Sequence, residues 1–250
     1  MAKADRKPRD ALNVRTPRGA LRFPKLLEPD HGTEKFPKKN PEYNTGLILK
    51  RGAPGVDAFL AKLDELMEES KALAEEAFAA LPLKTRKQIE AKTGGISADS
   101  PYEVVYDNET EEETGEVVIK AKTVASGVSK KTGKPWSKLL DLFDARGKPI
   151  PRSVRSKLRI WGGTVAVLNM DLKPYFVDGS GSYGIGRYLN AVQIIELVDG
   201  GSKSASSYGF GEEDEGFDAS GFSVDDADDD DDSGFSGGVA DEDDAGDTNF

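Results

Sequence analysis

The segment Val117–Ala125, VVIKAKTVA, decides the fold class. Its side chains alternate: Val117, Ile119, Ala121 and Thr123 share one face, and Val118, Lys120, Lys122 and Val124 the other. Period-two alternation with lysines on one side is the pattern of a half-buried β-strand. The chain after it continues in the same manner. The turn Gly127–Pro135 (GVSKKTGKP) leads to a strand expected over Trp136–Asp144, which places Trp136, Lys138, Leu140 and Leu142 on a common face. Asp144–Gly147 is a further turn, and Val154–Trp161 is a basic segment whose pattern fits no element, closed by Gly162 and Gly163. Strands are expected over Thr164–Val177 and Ile185–Val198, joined by the glycine loop Asp178–Gly184.

Before this β-rich half lies the clearest helix, Gly55–Leu81. Val56, Phe59, Leu60, Leu63, Leu66, Met67, Leu73, Ala77, Phe78 and Leu81 recur at helical spacing, with Glu and Lys on the other face. Such a stripe is core packing. Pro82 ends it, and a short helix is expected over Lys84–Lys92 before Gly94 and Gly95. Asn44–Lys50 reads as a first strand. Pro101–Glu116 holds seven acids and no base, and reads as a solvated connection and not as a carboxylate pair for acid–base or magnesium chemistry. Residues 1–27 carry eight bases against Asp5 and Asp10, with Pro8, Pro17 and Pro24 opposing a helix. They read either as a solvated arm or as a basic arm lying on phosphate. Four or five strands with one long helix suggest a mainly β fold with α, a small, partly open, five-stranded barrel of the OB type or a related curved sheet. The expected division is an irregular basic arm over 1–40, the barrel domain over 41–200 and a tail over 201–250.

That tail reverses the sign of the molecule. From Ser204 to Phe250 there are 17 acids and no Lys or Arg, so the net charge of −11 conceals a remainder with 34 bases and 28 acids. So many like charges with so little to bury are expected to be disordered. The absence of cysteine excludes disulfides and Cys-based metal sites. The opening MAKADRKPRD has no apolar stretch of a secretory signal, and no apolar run approaches the roughly 18 residues that span a bilayer. A soluble, intracellular protein is the expectation. His31, the one histidine, has no metal partner, and no nucleophile–base pair can be assembled, so no catalytic set, metal site or cofactor is expected.

The strongest internal signal is charge. Between Val117 and Ile160 stand twelve bases, Lys120, Lys122, Lys130, Lys131, Lys134, Lys138, Arg146, Lys148, Arg152, Arg155, Lys157 and Arg159, against Asp141 and Asp144. A face kept merely soluble would mix signs, so a polyanion-binding face is expected. Trp136, Trp161, Tyr175, Phe176, Tyr183 and Tyr188 are interleaved with it or follow it. Cations hold phosphates while bases stack on flat side chains, which is the chemistry of single-stranded nucleic acid binding. Two or three of the six aromatics should stack, Trp136 first among them, and the others should be core. Arg187 joins the candidate set beside Tyr188. Gly127–Lys134 is not a phosphate loop, because five residues separate its glycines and Pro135 stands where a Ser or Thr is needed. Gly179–Gly184 spells GxGxxG but precedes a β pattern and not a helix, so a hairpin loop is the better reading. Asp229–Ala240 begins like a calcium loop but lacks its final Glu.

These residues carry a family resemblance. The opening MAK, the early strand and long helix, the basic hairpin, the segment GIGRYLNAVQIIELVDGG (Gly184–Gly201) and the acidic tail ending in Phe250 together resemble the single-stranded DNA-binding proteins of tailed bacteriophages. The resemblance implies an OB-fold with a capping helix, sequence-independent binding of single-stranded DNA, and roles in phage DNA replication, recombination and repair in the host cytoplasm. It also implies that the tail, here Asp241, Glu242, Asp243, Asp244, Asp247 and the terminal Phe250, contacts the phage DNA polymerase and primase-helicase. Homodimers are common in the family. An RNA-binding or RNA-chaperone protein of similar fold, a nuclease or polymerase accessory factor, and a decoy whose tail mimics DNA are the rival readings.

Overall fold

The computed structural model describes residues 11–198. The expectations placed on residues 1–10 and on the tail, including its partner-binding acids and Phe250, lie outside them. Eleven strands and three helices follow in order among the described residues: β1 (Leu12–Arg15), β2 (Gly19–Gly32), β3 (Pro37–Lys50), α1 (Val56–Ala79), α2 (Leu83–Thr93), β4 (Ser97–Ala98), β5 (Glu103–Tyr106), β6 (Glu113–Val124), β7 (Ser126–Val128), β8 (Pro135–Ser137), β9 (Asp141–Phe143), α3 (Arg152–Arg155), β10 (Val165–Phe176) and β11 (Ser182–Glu196).

Five of the strands close a ring. β2 pairs with β3, β3 with β6, β6 with β11, β11 with β10, and β10 returns to β2. All of these pairings are antiparallel except that of β6 with β11, which is parallel and in register at Tyr188 with Lys122. This is a five-stranded barrel of the OB type. The alternation of VVIKAKTVA survives in three dimensions: Val117, Ile119, Ala121 and Thr123 point into the barrel while Lys120 and Lys122 face out. Leu21, Leu47, Leu49, Leu168, Met170, Leu172 and Leu189 fill the interior.

α1 lies against β10 and β11. Its first two turns bury Val56, Phe59, Leu60 and Leu63 as the periodicity requires. Farther along, the buried positions are Ser70, Ala74 and Ala77, while Leu73 and Phe78 are half-buried. Small residues allow a close approach there, and the buried Ser70 hydroxyl donates to the Gly184 carbonyl at 2.8 Å, tying helix to strand. Gly94, at φ 76, ends α2.

Three expectations need correction. The stretch 1–40 is not irregular throughout, because β1, β2 and the start of β3 occupy Leu12 onward. Prolines oppose a helix, but they are tolerated at strand edges and bulges, and β2 passes Pro24 at a break in its register with β3. The acidic connection 101–116 is partly paired, with β5 hydrogen-bonded to the early part of β6. Trp136–Asp144 is not one strand: β8 ends at Ser137 and β9 begins at Asp141. Trp136 and Lys138 therefore share no face with the buried Leu140 and Leu142. Val154–Trp161 is irregular beyond the single turn of α3.

Candidate nucleic-acid interface

The outward face of β3 and β6 forms the floor of a cleft of about 600 Å³. Five cationic side chains line it: Arg22, Lys38, Lys120, Lys122 and Arg187. Three carboxylates, Asp30, Glu42 and Glu103, line it too. Lys38 reaches Asp30 at 2.7 Å and also Glu42, Lys122 reaches Glu42 at 3.2 Å, and Lys120 reaches Glu103 at 2.5 Å. The cleft is thus cationic by two charges, with three of its lysines already engaged. The Lys38 hydrogen bond, helped by the Gly32 amide, lowers Asp30 to about 2. Burial opposes ionisation of Glu42, but hydrogen bonds from Lys38 and Lys122 overcome it and hold the carboxyl below its ordinary range. Burial likewise opposes the charge on Lys38, and its two carboxylates more than offset that.

Glycines give this region flat aromatics. A Cβ at Gly186 would stand 2.8 Å from Cε2 of Tyr188, and one at Gly184 would stand 2.9 Å from Oη of Tyr175. Both rings therefore lie down on β11 where no side chain interferes. Tyr188 keeps half of its surface exposed. Tyr175 donates to Asp99 at 2.6 Å, and burial together with that bond pushes its hydroxyl to about 12. Arg187 is partly buried, which lowers its pKa, and donates to the carbonyls of Ser100 and Pro101 at 3.2 and 2.6 Å.

The remaining sequence candidates fall in two other places. Lys130, Lys131 and Lys134 project from the β7–β8 hairpin, whose tip turns at Gly133. The Trp136 ring lies against Gly127 across this hairpin, 41% exposed, and lines a shallow hollow with Lys39, Asn40 and Pro41. Lys138, at the hairpin base, donates to the Thr123 hydroxyl at 2.7 Å. A second groove, of about 810 Å³, is lined by Lys25, Leu139, Arg152, Arg155, Arg159 and Trp161 among others. Lys157 is exposed beside it in sequence. The GxGxxG stretch supplies part of the β10–β11 turn and the first residues of β11, as its β flank suggested.

Two candidates have structural roles. Tyr183 points inward and is 8% exposed, because alternation along β11 places it opposite the accessible face. Arg155 spends its guanidinium on the carbonyls of Leu140 and Ile150, at 2.7 and 3.0 Å, and thereby shapes the wall of the second groove. Four residues of the cleft are not singled out by the sequence, although Arg22 is among the bases of the N-terminal arm. Arg22, Lys38, Asp30 and Glu42 lie in the segment read as an arm or at its edge, and their convergence depends on the β2–β3 pairing. Phe23 and Phe36 are the most exposed aromatics among the described residues.

The β3–β6 face is the surface on which OB barrels take oligonucleotides. A five-stranded OB barrel with lysines on that face and two tyrosine rings laid along the neighbouring β11 has the architecture of the oligonucleotide-binding modules. Residues 20–197 match the family model described as the single-stranded DNA-binding protein of bacteriophage T7, and the chain belongs to that family. The crystal structure of gp2.5, the single-stranded DNA-binding protein encoded by bacteriophage T7, shares the fold, with a TM-score of 0.57 at 21% identity over 84% of this chain and 100% of that one. A single-stranded DNA-binding protein from bacteriophage Enc34, in complex with ssDNA, aligns with a TM-score of 0.46 at 15% identity over 76% of this chain and 89% of that one. No curated protein sequence matches significantly.

Proposed function

We propose that the protein is a non-enzymatic, sequence-independent single-stranded DNA-binding protein of phage DNA replication, recombination and repair. The observation that carries this reading is the cationic cleft on β3 and β6 beside the exposed Tyr188. Phosphates exchange with the carboxylates that hold Lys38, Lys120 and Lys122, while bases stack on the laid-down rings at roughly 1–3 kcal/mol each. Lys130, Lys131, Lys134, Lys138 and Trp136 extend the track along the hairpin, and Arg152, Lys157, Arg159 and Trp161 extend it on the side of the second groove. The acidic tail competes weakly for the same cations when DNA is absent. DNA displaces it and frees Asp241–Asp244, Asp247 and Phe250 for the phage polymerase and primase-helicase in the host cytoplasm. Because it belongs to the same chain, the tail competes at an effective concentration on the order of millimolar, which is enough for such competition.

The test compares the full chain with a version ending at Ser202, on labelled ssDNA, dsDNA and RNA oligomers across a salt series. Single strands should bind best, with log affinity falling at a slope of about −0.7 per phosphate neutralised. Truncation should tighten binding, most at low salt, and abolish partner recruitment. Preference for RNA, or affinity that ignores salt, would overturn the reading. Weaker binding after truncation would make the tail structural.

A further inference from the structure

Strand β2 breaks its own rule at Phe23. Leu21 points into the barrel, so strict alternation would bring Phe23 inward as well. Instead Phe23 stands at φ 49, in the left-handed region, and its ring is 77% exposed. The pairing with β3 slips between Arg22 and Lys25, and the strand resumes its inward phase only at Leu26. Glu111, the other non-glycine residue with positive φ among the described residues, is an exposed loop residue. A large aromatic held out in water on an unfavourable backbone conformation is a poor solution for folding alone.

Its surroundings give the ring a use. Phe23 lines the cleft together with Lys120, Lys122 and Tyr175. The Arg22 guanidinium stands 5.3 Å from its ring centroid and covers one face. Arg22 in turn is the register partner of Gly46, where a Cβ would come within 3.3 Å of the arginine's own Cβ. The ring is thus braced on one side by a cation that a glycine lets settle.

We propose that Phe23 is a base-stacking residue of the cleft, with the backbone flip at this position serving to turn its uncovered face toward a nucleobase while Arg22 braces the ring and offers charge to the adjacent phosphate. The inference rests on the reading of the cleft as the single-stranded DNA site. Its test uses the full chain, wild type and the variants Phe23→Gly and Phe23→Trp, with a labelled oligo-dT and an abasic strand of equal length. Glycine adopts the left-handed conformation freely, so Phe23→Gly should melt at or above the wild-type temperature. It should nonetheless bind oligo-dT roughly 5- to 150-fold more weakly, the equivalent of losing one stacked base. The salt slope should be unchanged, since no phosphate contact is removed. Phe23→Trp should restore binding, and on the abasic strand Phe23→Gly and wild type should be equal. Wild-type affinity for oligo-dT in Phe23→Gly, or an equal loss on both strands, would show that Phe23 merely shapes the strand. Failure of the wild type itself to bind oligo-dT would sink the cleft reading and this inference together, a different result from a wild type that binds and a variant that binds equally.

Discussion

Glu42→Gln removes one charge and few atoms from the centre of the cleft. The Glu42 side chain is 13% exposed and accepts from both Lys38 and Lys122, so these lysines meet incoming phosphate already half-neutralised. A phosphate held by Lys122 would sit about 6 Å from the Glu42 carboxylate. Their repulsion there is ~0.7 kcal/mol at the dielectric of water and ~2.8 kcal/mol at an effective dielectric of 20. Taking ~1–2 kcal/mol, the variant should bind single-stranded DNA roughly 5- to 30-fold more tightly. The salt slope should steepen by up to about 0.7, since one more lysine becomes free to displace counterions. Glutamine keeps an acceptor for one lysine, so any loss of fold stability is modest. Anisotropy of a labelled oligo-dT across a salt series, with a thermal melt as control, reads both effects. An unchanged or weaker affinity with an unchanged melt would mean that phosphates do not enter between Lys38 and Lys122, and the cleft would lose its role.

Three other outcomes follow from the same geometry. Gly186→Ala places a methyl group 2.8 Å from the Tyr188 ring and must lift it; ssDNA affinity should fall several-fold while the melting temperature moves little, as anisotropy and calorimetry would show. Tyr183→Ala should cost about 3–5 kcal/mol of stability as a core truncation, whereas Tyr188→Ala should spare stability and cost roughly 1–3 kcal/mol of DNA binding; denaturant melts beside binding curves separate the two. Because the Asp30 carboxyl is lowered in the fold to about 2, its contribution to stability is complete above the ordinary carboxylate range and is lost as pH falls through about 4 toward 2. Partial exposure limits that contribution to the order of 1 kcal/mol, and Asp30→Asn should flatten this part of a melting-temperature profile against pH.

The barrel was legible because its strands alternate and its long helix is periodic: VVIKAKTVA and the first half of the α1 stripe appear in the structure as written. The second half of that stripe was less so, since Ser70 faces inward to meet a carbonyl, which no hydrophobic pattern signals. The cleft was half legible. Lys120 and Lys122 follow from alternation alone, but Arg22, Lys38 and Glu42 come from a segment whose prolines conceal a bulged strand, and only long-range pairing carries them to β6. Composition could not separate Tyr183 from Tyr188, or Arg155 from Arg152. The first pair differs by its position across the β11 pleat, and the second by whether a loop carbonyl lies within reach.

The closure of the barrel has a mechanical side. β6 and β11 meet in register at a single pair, Tyr188 with Lys122, so the ring is stitched most thinly where its candidate binding residues stand. A wall with so few main-chain bonds is the place where local opening is least costly. A polynucleotide lying across it, held as proposed by Lys122 on one bank and Tyr188 on the other, would become a strap over the gap. Cargo would then complete the barrel as well as ride on it, and amide exchange around this seam should slow on loading more than anywhere else in the wall.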